Sequence, residues 1–171
     1  AHEVGATLVV DSTAASPVLS HPLEHGADIV MHSATKGING HSDVLAGSLA
    51  TNDAGAPRWQ MIHDDRNEAG AVIGPMEAWL LARGMRTLPL RMREMSRNAM
   101  TLAEFLADHP QVEQVMYPGL PDHPGHALAA QQMSGGYGGL LSFVVKGGAE
   151  AALNAAGRLQ LFHRATSLGG V

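Results

Sequence analysis

The sequence predicts an α/β fold, and three observations lead there. Short runs dominated by apolar residues stand where strands would lie, at Thr7 to Val10, Ala27 to His32 and Val44 to Ala50. A long stretch from Leu88 to Leu106 carries apolar residues at helical spacing. A second strand-like pair, Val112 to Tyr117 and Leu140 to Val145, is separated by a Pro/Gly loop and a short helical segment. Apolar runs of this kind suit strands buried on both faces, and strands alternating with helices suit an α/β sheet.

The elements follow in order. Asp11 directly follows the first run, and a Ser/Thr/Pro-rich loop comes next. The second run ends at Ser33, and the third is bounded by Asn52-Asp53 and Gly55. The short spacing leaves room for small helices or loops and puts the active edge at the strand ends. From Arg58 to Glu68 the pattern is polar and mixed, and no element is assigned there. Pro75 suits the first position of a helix continuing from Met76 to Leu81, which Gly84 interrupts or bends. The long helix from Leu88 to Leu106 presents Leu88, Met92, Met95, Met100, Leu102, Ala103 and Leu106. Pro110 ends it. After the loop from Tyr117 to His126 come a short helix at Ala127–Met133 and, beyond the last strand, a helix at Ala149–Leu159. The expected domain division falls near Thr87, giving 1–87 as part of a larger α/β domain and 88–171 as the first part of a second, smaller α+β domain.

Composition narrows the function. The 171 residues are 45% hydrophobic and 16% charged, enough to bury a core. The formal net charge is −5 and no Lys/Arg run stands out, which argues against nucleic acid or an acidic membrane surface as partner. Arg83, Arg86, Arg91, Arg93 and Arg97 share a helical pattern and are expected on a solvated or inter-subunit face. There is no cysteine, hence no disulfide framework and no thiolate metal site. His21 and His25, and His123 and His126, lack the accompanying Glu of a zinc-protease helix, so no metal site is expected. No apolar run approaches the ~20 residues needed to span a bilayer, and a cytoplasmic home is expected. The chain begins Ala1-His2-Glu3 and stops within a glycine turn, so it reads as an internal fragment of a longer protein.

The stretch from Asp28 to Gly47 carries chemistry. Lys36 follows a strand and a Ser-x-Thr, with a glycine-containing turn after it. A lysine amine at a strand end can condense with an aldehyde cofactor. The Ser33 and Thr35 hydroxyls can bond a phosphate from the same loop. Such a cofactor needs an acid beside its ring nitrogen, and Asp11, 25 residues before Lys36, is the natural candidate. The bland alternatives are a surface lysine, a turn-forming Asp11, and hydroxyls that satisfy only local backbone groups.

Five segments in one order carry a resemblance: VVDSTAASP, HSATKGINGHSD, GPMEAWLLARGMRTLPLRM, YPGLPDHPGH and the closing SLGG. Together they resemble the pyridoxal 5'-phosphate (PLP) enzymes of Cys/Met metabolism, a family spanning cystathionine γ-synthase, cystathionine γ-lyase, methionine γ-lyase and the homoserine sulfhydrylases. The resemblance covers essentially the whole chain and implies the type I PLP-dependent transferase fold. It implies that Lys36 holds the cofactor and shuttles protons, that Asp11 pairs with the ring nitrogen, and that Ser33 and Thr35 hold the phosphate. Thr13 would lie beside the cofactor, and Ser167 beside the lysine and the substrate backbone. The implied activity is β- or γ-elimination or γ-replacement on a sulfur amino acid or O-acylhomoserine, leaning to cystathionine γ-synthase/γ-lyase, by a homo-oligomer built as a dimer of dimers. The alternative is a truncated, non-catalytic chain serving only in packing or assembly.

The sequence departs from the family at Ser12, where Asn is common, and at Ala14 and Val18, which replace frequent aromatics. Gly37 stands where an aromatic often follows the lysine. These changes bear on substrate shape more than on cofactor binding. The resemblance also implies that a ring-stacking tyrosine and a glycine-rich phosphate loop belong upstream, and a carboxylate-binding arginine downstream.

Overall fold

The computed structural model describes residues 1–165 and 167–169; Gly170, the last residue of the Ser-Leu-Gly-Gly segment, lies outside them. Two small sheets form. In the first, β1 (Val9–Asp11) runs parallel to β2 (Ile29–Ser33), and β2 runs antiparallel to β3 (Gly47–Ala50). The register sets Asp11 beside Met31 and His32 beside Ser48. A parallel pair requires a crossover. Here it is short: α1 (Ser16–Leu19) and a 3₁₀ turn at Pro22–His25. Proline opens both, and Gly26 closes the second at φ 89°.

The middle strand alone matches the expectation of burial. Ile29 and Val30 are buried, whereas β3 is exposed along its length and β1 nearly so. The apolar runs of β1 and β3 therefore do not mark strands buried on both faces among the described residues: both are sheet edges that stay largely exposed there. The strand bounds also move. The first includes Asp11, which puts its carboxylate on the sheet rather than in the loop.

Residues 58–68, left without an element by their polar pattern, form α2 (Pro57–Glu68). None of its residues is buried, so it has no apolar stripe to read. α3 (Pro75–Met85) runs through Gly84, which neither breaks nor ends it. Gly84 is instead a contact position, since a Cβ there would come within 2.4 Å of the Asn39 carbonyl oxygen.

α4 (Leu88–Ala107) is the spine of the molecule. Its buried residues are Leu88, Met92, Ser96, Ala99, Ala103 and Leu106, a stripe at three- and four-residue spacing. Leu88 and Met92 pack with Leu19, Ala34 and Ile38 beneath the first sheet. Ala99 and Ala103 pack with Tyr117 beneath the second, where β4 (Val112–Met116) pairs antiparallel with β5 (Ser142–Val145). Ser96 is the polar member between the two clusters. Its hydroxyl donates to the Met92 carbonyl and accepts the Gly138 N–H, so its burial leaves no unmet polar group. α5 (His126–Gln132) ends in a bridge between Met133 and Ser20, tying the second half of the chain to α1. α6 (Gly148–Gly157) follows β5.

Candidate active site

The site begins where β2 ends. After Ser33 the chain makes a tight turn, held by the Asn39 N–H on the Ala34 carbonyl (2.9 Å) and the Gly40 N–H on the Lys36 carbonyl (2.8 Å). Ala34 and Ile38 face the core cluster, which pins the turn at both ends. Lys36 lies between them, half-buried. Its Nζ donates to the Ser167 Oγ at 2.7 Å, across 131 positions of sequence. The segment carrying Ser167 rests directly on the lysine. A Cβ on Gly169, whose φ is +83°, would fall 2.5 Å from the Gly37 nitrogen and 2.7 Å from the Lys36 carbonyl carbon. Only glycine allows that approach.

Asp11 and Thr13 join the ends of β1 and β2. The Thr13 N–H (2.9 Å) and Oγ–H (2.5 Å) both donate to Asp11 Oδ1, and Thr13 Oγ accepts the Ser33 N–H at 2.8 Å. The Thr13 hydroxyl, followed by its backbone N–H, holds the Asp11 carboxyl below its ordinary value of 3.8. The carboxylate is therefore oriented and anionic at neutral pH.

Ser33 takes part through its backbone as well, its carbonyl accepting the Lys36 N–H at 3.1 Å. Thr35 is engaged elsewhere. Its Oγ accepts the Ala46 N–H at 2.9 Å and donates to the Ala46 carbonyl at 3.2 Å, clamping the turn to the chain entering β3. A hydroxyl has one hydrogen, so Thr35 can donate to a phosphate only by turning from that carbonyl.

The six residues expected from sequence form two linked groups, Lys36 with Ser167 and Asp11 with Thr13 and Ser33, while Thr35 braces their shared loop. They do not line one cavity. Ser33 and Thr35 border a space of about 1000 Å³ with Met31, Gly47, Trp59 and Val72. Asp11 borders another of about 460 Å³ beside Ser12 and Met133.

Two residues escaped the sequence reading. His32 is buried on β2, its Nε2 has no partner among the described residues, and it feels the Asp11 charge. Burial lowers its pKa from 6.5, with Asp11 opposing, so the ring is neutral at neutral pH. Nothing in the apolar run around it signalled this. Arg91 is the second, and it corrects the expectation of a solvated or inter-subunit face. Its guanidinium turns inward and donates to the carbonyls of Gly37 (2.6 Å), Ile38 (3.1 Å) and Gly84 (3.0 Å). Arg97, by contrast, keeps to the surface and pairs with Glu94.

The donor set suits PLP: an amine in a fixed turn, an ionised carboxylate locked at an adjacent strand end, and hydroxyls in the intervening loop. Comparison with known proteins agrees. The family model for "Cys/Met metabolism PLP-dependent enzyme" matches residues 1–171. Cystathionine gamma-synthase of Mycobacterium tuberculosis (strain ATCC 25618 / H37Rv) is 50% identical over 170 residues, covering 97% of this chain and 42% of that protein. Cystathionine gamma-lyase of Dictyostelium discoideum is 48% identical over 170 residues, covering 99% and 43%. Among solved structures, cystathionine gamma synthase from Xanthomonas oryzae pv. oryzae in complex with cystathionine superimposes with a TM-score of 0.92 at 48% identity, covering 99% of this chain and 43% of that one. The chain thus shares the α/β fold of these PLP enzymes and spans less than half the length of the relatives it matches.

Proposed function

The chain belongs to the Cys/Met metabolism PLP-dependent enzymes, and from that premise we propose that the whole protein is a transsulfuration-type enzyme, with Lys36 as the cofactor lysine. Its substrates are small sulfur amino acids or O-acylhomoserines, and its reaction is β- or γ-elimination or γ-replacement. The reading leans to cystathionine γ-synthase/γ-lyase, because relatives bearing those two names match nearly all of the chain at about half identity. The two names also leave the direction of the reaction, synthesis or cleavage, as the finer part of the proposal. Residues 1–87 belong to the cofactor-binding domain and 88–171 to the start of the next. The enzyme works in the cytoplasm as a homo-oligomer, a dimer of dimers.

The observation that carries this reading is the 2.7 Å hydrogen bond from Lys36 Nζ to Ser167 Oγ beside the Asp11–Thr13 pair. PLP, when bound, supplies an electron sink for a substrate carbanion. Lys36 holds the cofactor through its amine and moves a proton at the substrate Cα. Ser167 fixes Nζ by accepting its hydrogen bond, and takes its place beside the substrate backbone. Asp11, kept anionic by Thr13, balances a positive ring nitrogen. Ser33 and Thr35 would hold the phosphate, with Ser33 the freer of the two, since the Thr35 hydroxyl is shared with Ala46.

The test is borohydride reduction of the complete protein with PLP, followed by peptide mapping. A pyridoxyl adduct on Lys36, and turnover abolished in Lys36→Ala, are the expected results. An adduct scattered over surface lysines such as Lys146, or near-normal turnover in the Lys36 variant, refutes the assignment.

A further inference from the structure

We propose that Arg91 is a positioning residue for Lys36: by fixing the carbonyls of the turn immediately after the lysine, it sets where Nζ stands against Ser167. The proposal rests on the assignment of Lys36 as the cofactor lysine. Arg91 itself is on α4, outside the cavities described above.

The geometry is that of a clamp. The guanidinium bonds to Gly37, Ile38 and Gly84 carbonyls, and its Nε donates to Thr87 Oγ at 3.0 Å. A planar fork with donors on every nitrogen suits three converging carbonyls, and a lysine ammonium does not. Space for it is cleared by glycine. A Cβ on Gly40, at φ +73°, would lie 2.0 Å from Arg91 Nη1, and one on Gly84 would strike Asn39. Met92, the next residue on α4, packs in the same core cluster as Ala34 and Ile38, and its sulfur would lie 3.6 Å from a Cβ on Gly37. α4 therefore grips the turn by hydrogen bonds from Arg91 and by apolar contact from Met92. On the opposite side of the turn, Gly169 presses on Gly37 and Lys36. The turn is held from both sides, and releasing one side frees the lysine backbone.

The experiment uses the complete holoprotein, its wild type and the variants Arg91→Lys, Arg91→Gln and Gly40→Ala. Borohydride mapping of the wild type comes first. Cofactor on a lysine other than Lys36 overturns the cofactor assignment and this proposal together. With the adduct on Lys36, three readouts judge Arg91 alone. The pH midpoint of the bound cofactor's visible absorption reports the surroundings of the lysine nitrogen, and Arg91→Lys should move it by about half a unit or more. The kcat should fall by roughly ten-fold or more with KM within about two-fold, the signature of a misplaced catalytic group rather than lost binding. Hydrogen exchange in the holoprotein should speed up at the Asn39 and Gly40 amides. Gly40→Ala, which displaces the guanidinium from the other side, should shift the midpoint in the same direction. A folded Arg91→Lys or Arg91→Gln protein with unchanged midpoint and kcat overturns the proposal, as does a variant that only melts earlier.

Discussion

At the scale of single residues, the site is a set of side chains whose hydrogen-bonding capacity is partly allotted. Thr13 is the clearest case. Its hydroxyl donates to Asp11 and accepts from Ser33, so one group both anchors the carboxylate and joins two strand ends. His32 is the opposite case, buried with an Nε2 that has no partner among the described residues. Its pKa is depressed by burial. Below pH 6.5 the unfolded chain therefore takes up a proton that the folded chain refuses, and stability falls as the pH drops from 6.5 towards the folded value. Thermal melts of wild type and His32→Gln between pH 7.5 and 5.5 check this. The wild type should lose stability more steeply on acidification, and equal slopes would refute the account. Lys36, Asp11, Thr13, Ser33, Thr35 and Ser167 were legible as candidates from their motifs. Arg91 and His32 were not, because an arginine on a helical pattern and a histidine in an apolar run read as surface and core until their partners are known.

At the scale of elements, α4 was legible because its burial is periodic. Its stripe of Leu88, Met92, Ser96, Ala99, Ala103 and Leu106 repeats every three or four residues, whichever cluster it touches. α2 was illegible for the complementary reason: a helix with no buried residue leaves no period. The edge strands misled because an apolar run says that a surface can be covered, not that it is. The stripe supports a quantitative expectation. Met92 is 2% exposed and packs where the lysine turn meets α4. Met92→Ala should cost about 2–5 kcal/mol in denaturant unfolding by leaving a cavity. Met85→Ala, at a half-exposed position, should cost less than about 1 kcal/mol. Similar losses at both positions would mean that the stripe is not the core.

At the scale of the whole molecule, exposed apolar side chains run the length of the chain, and one group of them sits on segments that cover little of the described core. Met61, Val72, Ile73, Met76 and Trp79 all lie between β3 and the middle of α3. A surface of this kind marks contact with further protein. It accords with a chain spanning 42% of its relative's length and with the proposed homo-oligomer. Light scattering on the complete protein should therefore give a mass of several subunits. A monomer with full activity would refute the oligomer.

The sequence by itself determined the family and the fold class and named six candidate site residues, because motif order and local chemistry are written in linear spacing. It also determined the long helix, because periodic burial leaves a periodic pattern. Only the tertiary structure decided which hydroxyls are already committed, which strands are edges, and that Arg91 points inward to hold the lysine turn. Those outcomes depend on partners 11 to 131 positions away, as with Thr35 and Ala46, Arg91 and Gly37, and Lys36 and Ser167. Local sequence pattern carries no record of such distances.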